Sequence, residues 1–251
     1  MAFFHIIIPA AGSGSRMAGE IPKQYMLLYD KPLISHCIEL FFLHPRIASI
    51  HVALSVNDTF WDSRKPEPAS KLKLHYTGGD TRAQTVLNTL QSMDVADDDW
   101  ILVHDAARPG LTQHLLDTLI NTLENDPVGG LLALPVADTL KFAGEQNADC
   151  QYSVLKTIPR AHLWLAQTPQ MFRYGLLKHA LETAANGIKG HATSSHVANV
   201  VLATDEAEAV EALGLQPKLV LGELRNLKVT YPQDLITLET IFDYFQNRGQ
   251  A

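Results

Sequence analysis

The stretch IIIPAAGSGSRM, residues 6–17, joins a short apolar run to a glycine-containing loop with Arg16 in it and Lys23 six residues later. Three consecutive isoleucines predict a buried strand, which delivers the loop to the edge of a sheet. Gly12 and Gly14 allow the backbone to approach a ligand closely. Close amide donors backed by fixed positive charge suit a triphosphate. The loop is therefore either a phosphate site or a plain strand-to-helix turn.

Two familiar nucleotide loops do not match this stretch. It contains no GxxxxGK[ST] motif, which excludes a P-loop. Its GxG is followed by Met17 where a dinucleotide fingerprint has its third glycine, so the pattern indicates a dinucleotide site only weakly.

Outside the loop, apolar strand-like runs alternate with segments of helical length. Strands are predicted at 6–8, 50–54, 72–76, 100–104, 130–136 and 218–221. Helices are predicted at 32–43, 82–93, 112–125, 174–186, 205–213 and from 232 to about 247. Strands that are apolar on both faces and alternate with helices are typical of a mostly parallel sheet flanked by helices. We therefore expect one α/β domain over residues 1–251.

Two segments interrupt this alternation. Residues 138–160 alternate polar and apolar side chains without a helical period, which predicts a pair of hairpin strands, an arm at about 136–158. Because an isolated hairpin is marginal in water, the arm is expected to pack on something, such as a second subunit. Residues 187–201 read as a loop, and its His191 and His196 are expected to be solvated rather than metal ligands.

The composition is that of an ordinary globular protein and limits its partners. Of 251 residues, 46% are hydrophobic and 19% charged, and the formal net charge is −7 at pH 7. This balance argues against a nucleic-acid or anionic-membrane surface, so an anionic substrate must be held by local cations. Cys37 and Cys150 form no CxxC pattern, and no stretch resembles a signal peptide or a membrane helix. We expect a cytoplasmic protein that uses neither nucleic acid nor a membrane.

Three further segments follow a strand or loop and carry charged side chains. In TGGDTRAQT, residues 77–85, two glycines precede Arg82 at the start of a predicted helix, where an anion is favoured. In VHDAARP, residues 103–109, Asp105 lies at the carboxyl end of a strand, the usual ligand position in an open α/β sheet. The third segment is NLKVTYPQD, residues 226–234, which contains Lys228. By spacing alone, Asp105 could instead be a helix cap, and Arg108 and Lys228 could be ordinary surface residues.

Seven motifs occur together in one order along the chain: PAAGSGSRM with PKQY, TGGDTRAQT, VHDAARP, Asp138-Thr139, RAHLWLAQTPQ, ATDEA and NLKVTYPQD. The chain resembles the 2-C-methyl-D-erythritol 4-phosphate cytidylyltransferase family of the non-mevalonate isoprenoid pathway, from about Ile6 to the final helix. The resemblance implies a Rossmann-like sheet, a CTP site with Mg²⁺, and a homodimer that exchanges its extended arms.

The same resemblance assigns roles to individual residues. It implies that the nucleotide is bound by Pro9, Ala10, Ala11, Gly12, Gly14, Gly79, Asp80, Thr85, Asp105 and Ala106. It implies that the catalytic cations are Arg16 and Lys23 at the triphosphate, with Lys228 and Arg160 at the sugar phosphate. It implies an acceptor pocket formed by Asp105, Arg108, Thr204 and Lys228, together with Thr139 and Arg160 from the partner's arm. Mg²⁺ would be held by Asp105 or through the CTP phosphates.

The implied reaction is attack of the acceptor's phosphate oxygen on the α-phosphorus of CTP, with pyrophosphate leaving. A phosphate monoester with a second pKa near ~6 is already largely dianionic at neutral pH, so no general base is needed. Because two anions must meet while charge moves to the leaving group, we expect catalysis by positioning and charge stabilisation.

Three alternatives stay open at this stage. A ribitol or ribulose 5-phosphate cytidylyltransferase has closely similar motifs and a similar polyol phosphate acceptor. A nicotinamide-dependent oxidoreductase is disfavoured by the missing third glycine. A non-catalytic nucleotide-binding regulator is disfavoured by the presence of Arg16, Lys23, Asp105 and Lys228 together.

Overall fold

The fold is seen in a computed structural model, which describes residues 2–12, 21–61, 71–145, 151–190 and 203–246. In chain order the strands are β1 (Phe4–Pro9), β2 (Leu27–Leu28), β3 (Lys31–Pro32), β4 (Ile47–Ala53), β5 (Leu72–His75), β6 (Trp100–Val103), β7 (Gly129–Pro135), β8 (Leu140–Ala143), β9 (Val154–Ile158), β10 (Trp164–Arg173) and β11 (Lys218–Leu221). The helices are α1 (Leu33–Leu43), α2 (Arg82–Gln91), α3 (Gln113–Leu123), α4 (Tyr174–Gly190), α5 (Glu206–Glu211) and α6 (Pro232–Gln246).

Seven of the strands form one sheet in the spatial order β11-β7-β10-β6-β1-β4-β5. The two pairings of β10 are antiparallel, and the other four are parallel. The prediction of a mostly parallel sheet flanked by helices is therefore confirmed. From β1 the chain proceeds outward through β4 to β5 and then returns to β6 on the other side of β1. This reversal opens a crevice at the carboxyl ends of β1 and β6, where open α/β sheets bind ligands.

The three isoleucines of β1 explain why this strand lies at the centre of the sheet. Ile6 and Ile8 pack into a cluster with side chains of α1 and α3, whereas Ile7 packs with side chains of α2, α4 and α5 on the opposite face. All three are fully buried. Because successive side chains of a strand point to opposite faces, an unbroken apolar run is what a strand covered on both sides requires.

Strand β10 is a difference from the sequence-based expectation, which has no strand at 164–173. Its buried half contains the polar side chains Gln167, Thr168 and Gln170, so its sequence lacks the apolar run that marks the other central strands. The structure satisfies these groups individually. For example, Gln170 Nε2 donates to Asp205 Oδ2 at 2.9 Å, and its Oε1 accepts from the Ala207 backbone at 2.8 Å.

The predicted hairpin at 138–160 is confirmed as β8 and β9, which pair antiparallel and form a two-stranded sheet separate from the main one. Its apolar side chains are exposed, including Phe142, Val154 and Leu155. Residues 191–201 of the predicted loop, with His191 and His196, and the thiol of Cys150 lie outside the described residues.

A chain of hydrogen-bonded side chains crosses β1, β4 and β5. Ser49 Oγ lies 2.7 Å from both His5 Nδ1 and His51 Nε2. His51 Nδ1 is 2.8 Å from His75 Nε2, and His75 Nδ1 is 2.9 Å from Ser92 Oγ. Three histidines are thus joined in one row of polar atoms: Ser49 bridges His5 and His51, His51 bonds directly to His75, and Ser92 ends the row.

The direction of this chain follows from its last hydroxyl. Ser92 Oγ donates its single proton to the Thr89 carbonyl at 2.7 Å, so it must accept from His75 Nδ1. His75 Nε2 then accepts from His51 Nδ1, and His51 Nε2 accepts from Ser49. His51 and His75 are therefore neutral with their protons on Nδ1, and His5 donates from Nδ1 to Ser49. A further proton on Nε2 of His51 or His75 breaks a hydrogen bond.

We expect these hydrogen-bonded histidines to make the stability of the protein decrease in acid. Burial lowers the pKa of His51 from 6.5 to about 3, assisted by His75 and Lys73, and burial also lowers the pKa values of His5 and His75. Below pH 6.5 the unfolded chain binds protons that the native histidines do not, so the free energy of unfolding falls as the pH decreases towards 3. His51 alone accounts for a loss of about 3 kcal/mol between pH 7 and pH 4.

Urea unfolding at pH 7 and at pH 4 measures this loss. In His51→Asn the difference between the two pH values should shrink, whereas His114→Gln, at an exposed position, should leave it unchanged. An equally large difference in His51→Asn would show that other groups cause the acid sensitivity.

Candidate active site

A cleft of about 210 Å³ lies at the carboxyl ends of β1 and β6. Four short segments and one lysine contribute its lining, which is Pro9, Ala10, Ala11, Gly12, Lys23, Gln24, Gly79, Asp80, Thr81, Arg82, Thr85, Asp105, Ala106, Ala107 and Lys228. Most of the residues assigned from the sequence are thus brought together. Gly14 and Arg16 lie outside the described residues, so their assignment stays a prediction.

The first loop is fixed by a glutamine that the sequence reasoning missed. Gln24 is buried, and its Nε2 donates to the Ala10 carbonyl at 2.7 Å and to the Gly12 carbonyl at 3.1 Å. This clamp ties the loop after β1 to the turn that carries Lys23. Among the described residues, no atom lies within 4 Å of a Cβ built on Gly12, so protein packing does not require glycine there. The open space beside Gly12 is available to a ligand.

The segment at 77–85 is held in place by its own threonines. The Gly79 amide donates to Thr85 Oγ1 at 3.0 Å, and that hydroxyl donates to the Thr81 carbonyl at 3.0 Å. A Cβ on Gly78 would lie 2.7 Å from Ala11 Cβ, so glycine is needed where this segment packs on the first loop. Thr85, assigned to the nucleotide, shapes the loop whose backbone faces the cleft.

Asp105 is the electrostatic centre of the site. Its Oδ1 lies 3.0 Å from Arg82 Nε, and its Oδ2 lies 2.9 Å from Lys228 Nζ and 3.5 Å from Arg108 Nε. Burial alone would raise the pKa of this carboxyl, but Arg82, Lys228 and Arg108 outweigh it and hold the pKa well below its usual range. Asp105 is therefore a permanent anion that gathers three cations.

Arg108 lies behind the cleft and does not line it. Its Nη1 donates to the Asn226 carbonyl at 2.8 Å and its Nη2 to the Ala166 carbonyl at 3.3 Å. The guanidinium thereby joins Asp105 to β10 and to the segment before Lys228. In this structure Arg108 supports the site from within the protein.

Lys228 reaches the cleft because its segment packs against the turn after β6. The Val229 amide donates to the Ala107 carbonyl at 2.9 Å, and Asn226 Nδ2 donates to the Thr168 carbonyl at 2.8 Å. A Cβ on Gly110 would lie 1.8 Å from the Arg225 carbonyl oxygen, so only glycine permits this approach. These contacts place an unremarkable lysine of the sequence beside Asp105.

Three assigned residues are not part of the cleft of this chain. Thr139 and Arg160 are exposed on the hairpin segment. Thr204 is also exposed, and its hydroxyl donates to Glu208 Oε2 at 2.8 Å. Their assignment to the acceptor stays a prediction.

Arg82 and Glu206 are the charged residues that sequence reasoning failed to place. Arg82 Nη1 donates to Glu206 Oε1 at 2.7 Å. The carboxylates of Glu206 and Asp105 raise the pKa of Arg82 overall, although burial works against its charged form. Both residues lie within quoted motifs, TGGDTRAQT and ATDEA, but nothing in their spacing predicts that they meet.

A metal ion fits this site only in company with a ligand. Both oxygens of Asp105 already face cations, and Asp80 is the other carboxylate lining the cleft. Within the described ranges, no group of three or more His, Cys, Asp or Glu side chains is arranged to hold a metal ion. The donor set thus suits a Mg²⁺ ion carried largely on phosphate oxygens, with a single carboxylate at its side.

Cations that line a cleft at the switch point of a Rossmann-like sheet suit a phosphate-rich ligand, and comparison with known families identifies the chain as a nucleotidyltransferase. The family model for 2-C-methyl-D-erythritol 4-phosphate cytidylyltransferase matches residues 4–244, and the chain belongs to this family. No helix in the described part of the chain has the length and apolar character needed to cross a membrane.

Known proteins of this family align along nearly the whole chain. The 2-C-methyl-D-erythritol 4-phosphate cytidylyltransferase of Nitrosospira multiformis is 49% identical over 246 residues, covering 96% of this chain and 98% of that protein. A solved structure of 4-diphosphocytidyl-2C-methyl-D-erythritol synthase has a TM-score of 0.78 at 36% identity, covering 96% of this chain and 99% of the other. The Francisella tularensis 2-C-methyl-D-erythritol 4-phosphate cytidylyltransferase has a TM-score of 0.74 at 32% identity, with 94% and 98% covered.

Proposed function

We propose that the protein transfers the cytidylyl group of CTP to 2-C-methyl-D-erythritol 4-phosphate, giving 4-diphosphocytidyl-2-C-methyl-D-erythritol and pyrophosphate in isoprenoid precursor biosynthesis. The observation that carries the proposal is the pairing of Asp105 with Lys228 in a cleft whose other wall holds Lys23 and the glycine-containing loop. This arrangement offers separate cations to a triphosphate and to an acceptor phosphate. Membership of the family supplies the identity of the two substrates.

The first loop and the segment at Gly79 and Asp80 would form the nucleotide side of the cleft. Backbone amides of the loop would meet the triphosphate, and Lys23, with Arg16, would neutralise it. Because Gln24 fixes the carbonyls of Ala10 and Gly12, the described start of the loop would be positioned before CTP arrives. The charge on the departing pyrophosphate would thus be met by groups that need not reorganise.

Lys228 would hold and aim the acceptor phosphate. Its side chain is 37% exposed and its ammonium is paired with Asp105, so its remaining donors are available to a phosphate oxygen. The attacking oxygen forms a bond to the α-phosphorus, and the bond from that phosphorus to the bridging oxygen breaks, which releases pyrophosphate. A dianionic phosphate needs no base, so positioning and charge stabilisation carry the step.

We propose that Mg²⁺ accompanies CTP. The CTP phosphates would be its main ligands, and any contact with Asp105 would be shared with the cations that already face that carboxylate. The ion would supply further neutralisation of the triphosphate charge. The buried thiol of Cys37 suits the reducing cytoplasm, where we place the protein.

We also propose that the protein acts as a homodimer with composite active sites. The hairpin of β8 and β9 exposes Phe142, Val154 and Leu155, each more than half accessible, with Tyr152 close by. Exposed apolar side chains of this density mark interaction surfaces. Thr139 and Arg160 flank the same hairpin and lie outside the cleft of their own chain. In a dimer they would contribute to the cleft of the second copy.

Pyrophosphate release tests the reaction. The protein is mixed with CTP and Mg²⁺ and with methylerythritol phosphate, ribitol phosphate or ribulose phosphate in turn. We expect release with methylerythritol phosphate and at most weak release with the pentitol and pentulose phosphates. A preference for ribitol or ribulose phosphate would replace the proposed acceptor, and no release with any of them would leave a nucleotide-binding regulator.

Mixing two inactive variants tests the composite site. Arg160→Ala and Lys23→Ala are combined under conditions that exchange subunits. One site of each heterodimer then has both native residues, so about a quarter of the wild-type activity should return in an equal mixture. Heterodimers shown to form without any recovery would place Arg160 in its own chain's site or outside the mechanism.

A further inference from the structure

Arg82 is shared by two carboxylates that lie far apart in sequence. Its Nε meets Asp105 Oδ1 at 3.0 Å, and its Nη1 meets Glu206 Oε1 at 2.7 Å across 124 positions of sequence. Glu206, at the start of α5, is fully buried and does not line the cleft. No step of the reaction described above uses it.

A buried carboxylate in this position is costly to maintain. Glu206 Oε2 has no hydrogen-bond partner among the described residues, and neither has Arg82 Nη2. Replacing a buried ion pair by well-packed apolar side chains is often neutral or stabilising, so stability alone does not account for the pair. An incompletely satisfied pair that touches the central carboxylate of a site points to a role in that site.

Arg82 Nη2, which has no hydrogen-bond partner among the described residues, could form a second contact with Asp105. In a guanidinium, Nη2 lies on the same edge as Nε, so these two atoms together form the fork that binds both oxygens of a carboxylate. Here Arg82 makes only the Nε contact with Asp105, while its Nη1 is bound by Glu206. The second oxygen, Asp105 Oδ2, is thereby left to Lys228 at 2.9 Å.

We propose that Glu206 is a positioning residue for the acceptor phosphate: it holds Arg82 to a single contact with Asp105 and so reserves the second Asp105 oxygen for Lys228. This inference rests on the proposed function, in which Lys228 binds the acceptor. Without Glu206, Arg82 turns its fork onto Asp105 and displaces the lysine. The acceptor phosphate then loses a correctly placed cation, while the backbone at Gly79 keeps its hydrogen bond to Thr85 on the nucleotide side.

Kinetics of Glu206→Gln test the proposal. We expect the KM for the acceptor to rise by about tenfold to 10²-fold, the usual cost of a small misplacement, with the calorimetric Kd for CTP within about twofold of wild type. Glu211→Gln, an exposed carboxylate at the end of the same helix, is the matched control and should change neither value. A fall in kcat with both KM values unchanged would indicate a merely structural role and overturn the proposal.

A second substitution, Arg82→Lys, distinguishes an effect of Glu206 on the contacts of Arg82 from an effect of Glu206 on packing. Lysine cannot form the two-point fork, so Glu206→Gln should cost little acceptor affinity in an Arg82→Lys background. An undiminished cost in that background would contradict the mechanism. If Glu206→Gln does not fold, Glu206→Asp, whose shorter side chain cannot keep the 2.7 Å contact, takes its place.

A crystal structure of the variant gives a readout that is independent of turnover. Arg82 Nη2 should move to hydrogen-bond distance of Asp105 Oδ2, and Lys228 Nζ should leave that oxygen. An unchanged Arg82 would disprove the inference whatever the substrate. If wild-type protein instead prefers ribitol phosphate, the proposed function fails, but the same KM comparison on ribitol phosphate still decides the role of Glu206.

Discussion

Replacing Lys23 with alanine should lower kcat by about 10²-fold or more while the KM for the sugar phosphate changes far less. Lys23 lies on the turn that Gln24 ties to the first loop, so its ammonium belongs to the nucleotide side of the cleft. Its charge matters most as negative charge develops on the leaving pyrophosphate. Steady-state kinetics at saturating CTP measure the effect.

Lys31→Ala is the matched control for this experiment. Lys31 follows the same turn, but its ammonium pairs with Glu39 at the surface. Exposed pairs of this kind contribute little, so kcat should stay at the wild-type value. A Lys23→Ala enzyme with nearly normal kcat would remove Lys23 from the mechanism.

Asp105→Asn should be the more damaging substitution, because it affects both folding and the reaction. Three cations would lose their shared anion in a largely buried site, and breaking such a group typically costs about 3–5 kcal/mol. Arg82 keeps Glu206 and Arg108 keeps two backbone carbonyls, so the lower end of this range is expected. With Lys228 no longer held, kcat/KM for the acceptor should fall by about 10²-fold or more.

Urea unfolding and acceptor kinetics measure the two effects separately. Asp117→Asn is the control for stability, since Asp117 pairs with His44 from a half-exposed position and its loss should cost well under the loss at Asp105. Equal stability losses in the two variants would mean that the cations around Asp105 are as well solvated as surface charges.

The position of the site can be predicted from the sequence, because the motifs that mark it lie directly after predicted strands. The isoleucine run predicts β1, and the residues that follow β1 and β6 must converge if these strands are neighbours in a parallel sheet. Pro9 to Gly12, Asp105 and Ala106 therefore fall where expected. The resemblance to a family adds Lys228, which its own surroundings in sequence do not distinguish from a surface lysine.

What the sequence does not show is chiefly long-range pairing. Arg82 and Glu206 form a hydrogen bond although they are 124 positions apart, and the sequence around neither residue indicates the other as its partner. The buried half of β10 mixes polar side chains with Met171 and Phe172, and its hydrogen bonds come from segments as distant as Asn226, so no periodic apolar pattern predicts a strand there. Arg108 is a further case, because nothing in its motif indicates that its guanidinium bonds two distant carbonyls; its assignment to the acceptor stays a prediction.

The place of β10 in the sheet also constrains the order in which a growing polypeptide can complete its structure. Strand β7 is synthesised before β10, but in the finished sheet β10 lies between β7 and β6. Strand β7 therefore cannot join the sheet beside β10 until residues 164–173 have left the ribosome. Lys228 emerges later still. The strands β1, β4, β5 and β6, with the residues proposed for the nucleotide, are therefore synthesised well before the cation proposed for the acceptor. The order of synthesis thus delivers the two proposed halves of the site one after the other.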